Sequence, residues 1–182
     1  AGVIFYLFHD IIIKSNLFLI SGVIYKIRSS TDIRRLGALY KDYPKLSLLF
    51  AIVFLSLVGI PPLSGFWPKI NLISAAFTTN NYALLIGIIF ASFVTLIMVA
   101  KIWAEIFWKD TPKAEVDVIK DDTFAPLTFI KKITLVFPIV LLTCVTLYLG
   151  FNAERVIQIS SRIAAEMMDT SAYIEAVMQQ SQ

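Results

Sequence analysis

The chain has 182 residues, 58% of them hydrophobic and only 16% charged, with a mean hydropathy of +0.77. Soluble domains carry roughly 25% charged residues, so an ordinary water-soluble globule is excluded: there is too little polar surface to cover one. The net charge of +3 is too small to point to a nucleic-acid partner, and the single cysteine, Cys144, lies in an apolar run where it makes neither a disulfide framework nor a paired-Cys metal site.

The predicted fold class is all-α membrane protein, with four transmembrane helices and an amphipathic C-terminal helix. The first span covers about residues 1–25, enough at ~1.5 Å per residue to cross a ~30 Å hydrocarbon core. It starts at Ala1 without an initiator Met or a signal-peptide pattern, which predicts a piece of a longer polypeptide. His9, Asp10 and Lys14 interrupt it. Residues 26–45, "KIRSSTDIRRLGALYKDYPK", form a basic link in which Ser30, Thr31 or Asp32 is expected to cap a short surface helix ending near Tyr40.

The second span, about 46–78, is broken. Its first half, "LSLLFAIVFLSLV", is thirteen residues or roughly 20 Å of helix, too short to cross alone. "GIPPLSGFWPK" (59–69) follows, then "INLISAAF". Pro61 and Pro62 remove two backbone donors, Gly59 and Gly65 permit close packing and unusual dihedrals, and the freed carbonyls must be satisfied by protein or water. Lys69 follows with no acid nearby in sequence, roughly 13 Å from the outer end if helical.

"TTNNY" (78–82) is an uncharged turn. The third span, about 82–108, has an uncharged core up to Ala100 and ends in Lys101, Trp103, Trp108 and Lys109, an interfacial anchor. A charged loop leads to the fourth span, about 131–151, with Pro138 in its first turns. These spans form a transmembrane region of residues 1–151. In the tail, 152–182, Val156, Ile159, Ile163 and Met167 recur at helical spacing and predict an amphipathic helix on the membrane or on a partner. The positive-inside bias places both basic links in the cytoplasm and the C-terminus outside.

No phosphate-binding glycine loop, HExxH or nucleophile elbow is present, so neither an enzyme site nor a cofactor is expected, and a single histidine argues against a protein-only zinc site. Ionisable groups inside spans remain, and these by default mark ion paths. Asp10 and Lys14 at i,i+4 share a helix face and can pair; Tyr6 lies one turn earlier on that face, and His9 sits about 100° round the helix from Asp10. One reading is an interhelical ion pair with His9 as a packed polar residue. The favoured one is a proton relay, because histidine titrates near ~6.5. For Lys69 the alternatives are a kinked helix with a snorkelling lysine and a proton site at a helix break of the kind found in transporters. Ser92 and Thr95 of the third span are ordinary helix-contact residues.

"HDIIIKSNLFLISG" (9–22), "DIRRLGAL" (32–39) and "GIPPLSGFWPK" (59–69) resemble the C-terminal part of the antiporter-like subunits shared by Mrp-type multisubunit sodium/proton antiporters and the membrane arm of respiratory complex I. The tail "SAYIEAVM" (171–178) looks like that of the Mrp D-type subunits. The resemblance implies a fold of about fourteen helices in two inverted repeats, of which this chain holds helices 11 to 14. It places Lys14 on a central hydrophilic axis and Lys69 at the exit half-channel. Complex I relatives often carry His four residues before the first lysine, where this chain has Asp10 with His9 beside it, and a small residue before the second, where it has Pro68. The implied function is proton translocation along lysine, histidine and water, coupled to Na+ export, by a transporter subunit. The implied setting is the lipid bilayer of a bacterial or archaeal cell membrane, with other membrane subunits as partners and H+ and Na+ as the ions moved. The alternatives are a proton-pumping subunit of complex I and a purely structural membrane subunit.

Overall fold

A computed structural model describes residues 1–110 and 122–169; the 171–178 segment used in the resemblance lies outside them. The described residues form seven α-helices and no strand. Helix α1 (Gly2–Arg28) is followed by a 3₁₀ turn (Ile33–Arg35), α2 (Leu39–Asp42) and α3 (Pro44–Val58). Then come α4 (Phe66–Thr78), α5 (Tyr82–Trp103, extended by a π-helical turn over Ala104–Trp108), α6 (Phe129–Phe151) and α7 (Ala153–Met168). Three units are long and apolar enough to cross a membrane: Gly2–Arg28, Tyr82–Trp108 and Phe129–Phe151. α3 is a shorter apolar helix, so the second crossing is shared between α3 and α4 with the break between them, as the sequence predicts.

α1 is the hub, packing against α3, α4, α6 and α7, while α5 packs against α3 and α4. Its buried residues Phe5, His9, Ile13, Asn16, Ile20, Val23, Ile24 and Ile27 recur every three or four positions, which puts them on one stripe. Opposite them α6 buries Ile139, Thr143, Thr146 and Gly150. Asn16 Nδ2 donates to Thr143 Oγ1 at 2.9 Å across this seam. Most other large apolar side chains of α5 and α6 point outward, among them Phe90, Phe93, Phe137 and Phe151, the pattern of helices solvated by lipid or by further protein.

The basic link differs from the single short helix expected of it. Asp32 caps only the 3₁₀ turn, accepting from Arg34 N at 3.0 Å. The chain then passes through Gly37 and a left-handed Ala38 (φ 55°) before α2, so the helix is interrupted. Arg28 fastens this corner to the Gly37 carbonyl at 2.8 Å and to Asp42 at 2.5 Å. Tyr43 donates to Asp122 at 2.6 Å, and Thr123 donates from both its nitrogen and its hydroxyl to the Lys26 carbonyl. These bonds tie the ends of α1, α3 and α6 together. Burial, helped by the Asp122 carboxylate, pushes the Tyr43 hydroxyl up to about 12.

Pro138 lies in the interior of α6, nine residues past its start, and the helix continues through it. α7 is amphipathic but packs against α1 and α6, burying Ala153 and Ser160 and half-burying Val156 and Ile163. Ile159 and Met167, placed by periodicity on the same stripe as Val156, point outward; small residues at 153 and 160 let α7 approach along a neighbouring row.

Candidate functional site: a capped helix break

The break is built by complete disposal of the α3 carbonyls. A helix C-terminus leaves four of them without intrahelical partners. Gly59 adopts φ 91°, ψ 43° just past Val58, the left-handed conformation glycine reaches without strain. Gly59 N then donates to Ser56 O at 3.1 Å and Ile60 N to Leu55 O at 3.0 Å, the paired bonds of a Schellman motif. Leu57 and Val58 remain, and Lys69 takes both: Nζ donates to Leu57 O at 3.1 Å and to Val58 O at 2.6 Å. The lysine thus reaches back from α4, half-buried, to close the last turn of α3. Its positive charge stands at the negative end of that helix dipole, an arrangement worth ~0.3–2 kcal/mol.

Between the helices, Leu63 N donates to Ile60 O at 3.0 Å round a cis Pro61–Pro62 bond, and Phe66 N to Leu63 O at 3.1 Å. Pro68 falls at the third position of α4, inside the first turn, where a backbone N–H has no helical partner in any case. This accounts for a proline next to the lysine.

His9 enters the break from α1. Almost fully buried, its Nδ1 lies 2.9 Å from Ser64 Oγ, which is itself 3.0 Å from Ser56 Oγ. A hydrogen-bonded chain of His9, Ser64 and Ser56 therefore runs from α1 across the break to α3. Its closeness depends on two glycines. A Cβ at Gly65 would collide with the Ser56 carbonyl oxygen and stand 2.9 Å from His9 Nε2. At Gly150 of α6 it would meet Pro62 O at 2.6 Å and Ser64 N at 2.9 Å.

Asp10 and Lys14 pair with each other at 2.7 Å on a different side of α1, with the Lys14 side chain 62% exposed and Asp10 22%. The four ionisable positions singled out in the sequence are thus not one hydrogen-bonded cluster: His9 and Lys69 bond within the break, while Asp10 and Lys14 bond to each other. Tyr6 belongs with the break, its ring 6.2 Å from that of His9. It shares with Lys69, Ser92 and Thr95 the wall of a cavity of about 250 Å³ between α1, α4 and α5. Sequence reasoning missed Ser56 and Ser64, and ranked Ser92 and Thr95 as ordinary contacts. For Ser64 a signal existed, a hydroxyl inside a Pro/Gly break; for the others spacing carries none. No group of three or more His, Cys, Asp or Glu among the described residues is placed to hold a metal ion.

The break, whose last turn Lys69 caps, is built from "GIPPLSGFWPK" (59–69), one of the three stretches on which the resemblance rested. The family model described as "NADH:quinone oxidoreductase/Mrp antiporter, TM" matches residues 1–95, from α1 through the break into α5. The chain belongs to this family. Among curated relatives, the D-type subunit of the Na(+)/H(+) antiporter of Alkalihalophilus pseudofirmus is 38% identical over 99% of this chain, and its counterpart in Bacillus subtilis is 30% identical over 98%. The chain spans about a third of either relative, 34% in each case. A solved Mrp complex from Dietzia sp. contains a chain superposing with a TM-score of 0.77 at 29% identity, over 97% of this chain and 39% of that one. The all-helical fold is therefore a segment of the antiporter-like membrane fold, and the chain is multi-pass.

Proposed function

We propose that this chain is the C-terminal part of a proton-translocating subunit of a multisubunit sodium/proton antiporter. In this reading protons move through the middle of the membrane along Lys14, His9, Lys69 and water, coupled to Na+ export. Asp10 serves as the partner of Lys14, and the Gly59, Pro61, Pro62 and Gly65 break makes room for the transfer. The observation that carries it is the bonding of Lys69. Its ammonium is held by two neutral backbone carbonyls and lines a cavity walled by Tyr6, Ser92 and Thr95. A lysine held in this way can give up a proton without leaving a buried carboxylate unpaired, and hydroxyls stand by to order a water chain. On insertion scales a lysine at the centre of a span costs ~2.5–3.5 kcal/mol, a cost that capping alone offsets only in part, which favours a functional reason for the charge.

The proposed setting is a bacterial or archaeal cell membrane, with the basic link in the cytoplasm, residues 152–182 as an outer tail and other membrane subunits as partners. The relatives that match nearly the whole chain are D-type antiporter subunits, which favours an antiporter over a quinone-driven pump. The test is Na+-driven proton movement in vesicles carrying the full-length subunit in its complex. Lys14→Ala and Lys69→Ala should each abolish exchange while the complex still assembles. Normal exchange in both variants refutes the proposal, and loss of assembly instead of exchange supports the purely structural alternative.

A further inference from the structure

The end of the bundle that carries the basic link holds a second feature, remote from the break. Between the 3₁₀ turn and the end of α5 lies an open cavity of about 620 Å³ whose wall includes Thr31, Arg34 and Lys101. Beside it an apolar groove of about 330 Å³ follows α1 past Ile24 to Leu17 and is backed by Phe54 of α3. The two spaces share Thr31, Ile33 and Ile102 as a common lip. Leu17 lies eleven residues before Arg28, roughly 16 Å along the helix axis, so the groove runs deep into the span while the cavity stays at its basic end.

The charges in the cavity wall are unevenly satisfied. Glu105 is engaged by Lys109 at 2.8 Å. Asp32 accepts from Arg34 N at 3.0 Å and lies 3.5 Å from its Nε, which leaves the two terminal guanidinium nitrogens without a hydrogen-bond partner among the described residues. Lys101 has no carboxylate partner among the described residues. The wall therefore offers one ammonium and one guanidinium fork beside a mainly apolar groove, close to Tyr25 and Trp103, residue types that settle at the headgroup boundary.

We propose that this cavity and groove are a binding site for an anionic phospholipid, its phosphate held by Lys101 and Arg34 and one acyl chain lying along α1. Basic pockets between transmembrane helices recognise anionic headgroups in this way. A soluble anion would leave the groove empty, and an apolar helix laid over it would bury Lys101 without a counter-charge. The proposal does not depend on proton transfer at the break.

It is tested on the full-length subunit in its complex, purified in detergent, by native mass spectrometry with three probes: phosphatidylglycerol, phosphatidylcholine of the same acyl chains, and glycerol 3-phosphate. Phosphatidylglycerol should be retained in preference to both others. Lys101→Ala and Arg34→Ala, both at exposed positions, should each weaken it about fivefold, the change equivalent to ~1 kcal/mol per basic residue near an anionic surface. Ile102→Trp, which narrows the lip, should weaken both phospholipids alike. Equal retention of the two phospholipids, glycerol 3-phosphate bound as tightly as phosphatidylglycerol, absence of bound lipid, or unchanged phosphatidylglycerol affinity in the Arg34→Ala, Lys101→Ala double variant would each overturn the assignment.

Discussion

Gly65→Ala separates two reasons for a glycine at a helix break. The backbone at Gly65 has φ −74°, ψ −18°, ordinary right-handed helix, so alanine meets no conformational strain there. What it meets is atoms. The new methyl would collide with the Ser56 carbonyl oxygen and stand 2.9 Å from His9 Nε2 and 3.0 Å from its Cε1. The Ser56 carbonyl already accepts from Gly59 N in the α3 cap and cannot retreat without unwinding that turn. The imidazole can swing away, but only by giving up Ser64 at 2.9 Å. Overpacking of this kind costs ~1–3 kcal/mol, and a buried polar group left unsatisfied a further ~1–3 kcal/mol, so the variant should lose about 2–6 kcal/mol. Gly87→Ala is the control: it sits mid-helix in α5 with nothing within 4 Å of the added carbon, and helix propensity predicts a gain of up to ~1 kcal/mol. Thermal unfolding of the detergent-solubilised complex and exchange in vesicles read both variants. If Gly65→Ala melts and transports like the wild type, the packing of His9 and Ser56 around this glycine is not what holds the break together.

Lys69→Met keeps the apolar stem but uncaps Leu57 and Val58; it should destabilise the subunit by ~1–3 kcal/mol and stop exchange, whereas Lys69→Arg, which retains the cap, should melt near the wild type. Gly150→Ala should cost ~1–3 kcal/mol by pressing on the Pro62 carbonyl, seen as a lowered melting temperature of the complex. Tyr43 has its hydroxyl raised from 10.0 to about 12, so the folded form holds that proton more tightly than the unfolded form. The stability it contributes is complete below pH 10 and falls as pH rises from 10 to about 12. Comparing wild type with Tyr43→Phe across that window should show the extra alkaline loss in the wild type only.

Helix existence was legible wherever apolar runs were long, because a bilayer allows little else than helices across it. The break was legible because Pro61, Pro62 and the flanking glycines have few other uses inside a span. What periodicity cannot show is who satisfies whom. That Lys69 serves the carbonyls of α3 depends on α4 turning back across Gly65, and that Ser64 meets His9 depends on α6 pressing Gly150 against Pro62. Both are three-body facts, invisible to spacing within one segment. The same holds for α7, where the stripe through Ile159 and Met167 was as good a helical pattern as the one that packs. Small residues at 153 and 160 decided between them, and smallness matters only once the partner surface is known.

The Asp10–Lys14 pair is where the transport and the structural readings part. The pair shares no hydrogen bond with the break and Lys14 is largely exposed, so a proton arriving there must pass part-way round α1 to reach His9. Residues 9 and 14 are five apart, about 140° round the axis at 3.6 residues per turn, a distance that water or Tyr6 must cover. If the pair only neutralises charge within the membrane, removing one partner harms the subunit and removing both relieves it, since an unpaired charge is worse than none. Asp10→Ala and Lys14→Ala would then each impair assembly, and the double variant would regain both assembly and exchange. If Lys14 carries the proton, Lys14→Ala assembles without exchange and the double variant stays equally inactive, because the lysine that takes the proton is gone from that turn. The cycle is read by yield of the assembled complex and by Na+-driven proton movement, and recovery of exchange in the double variant would remove Lys14 from the path.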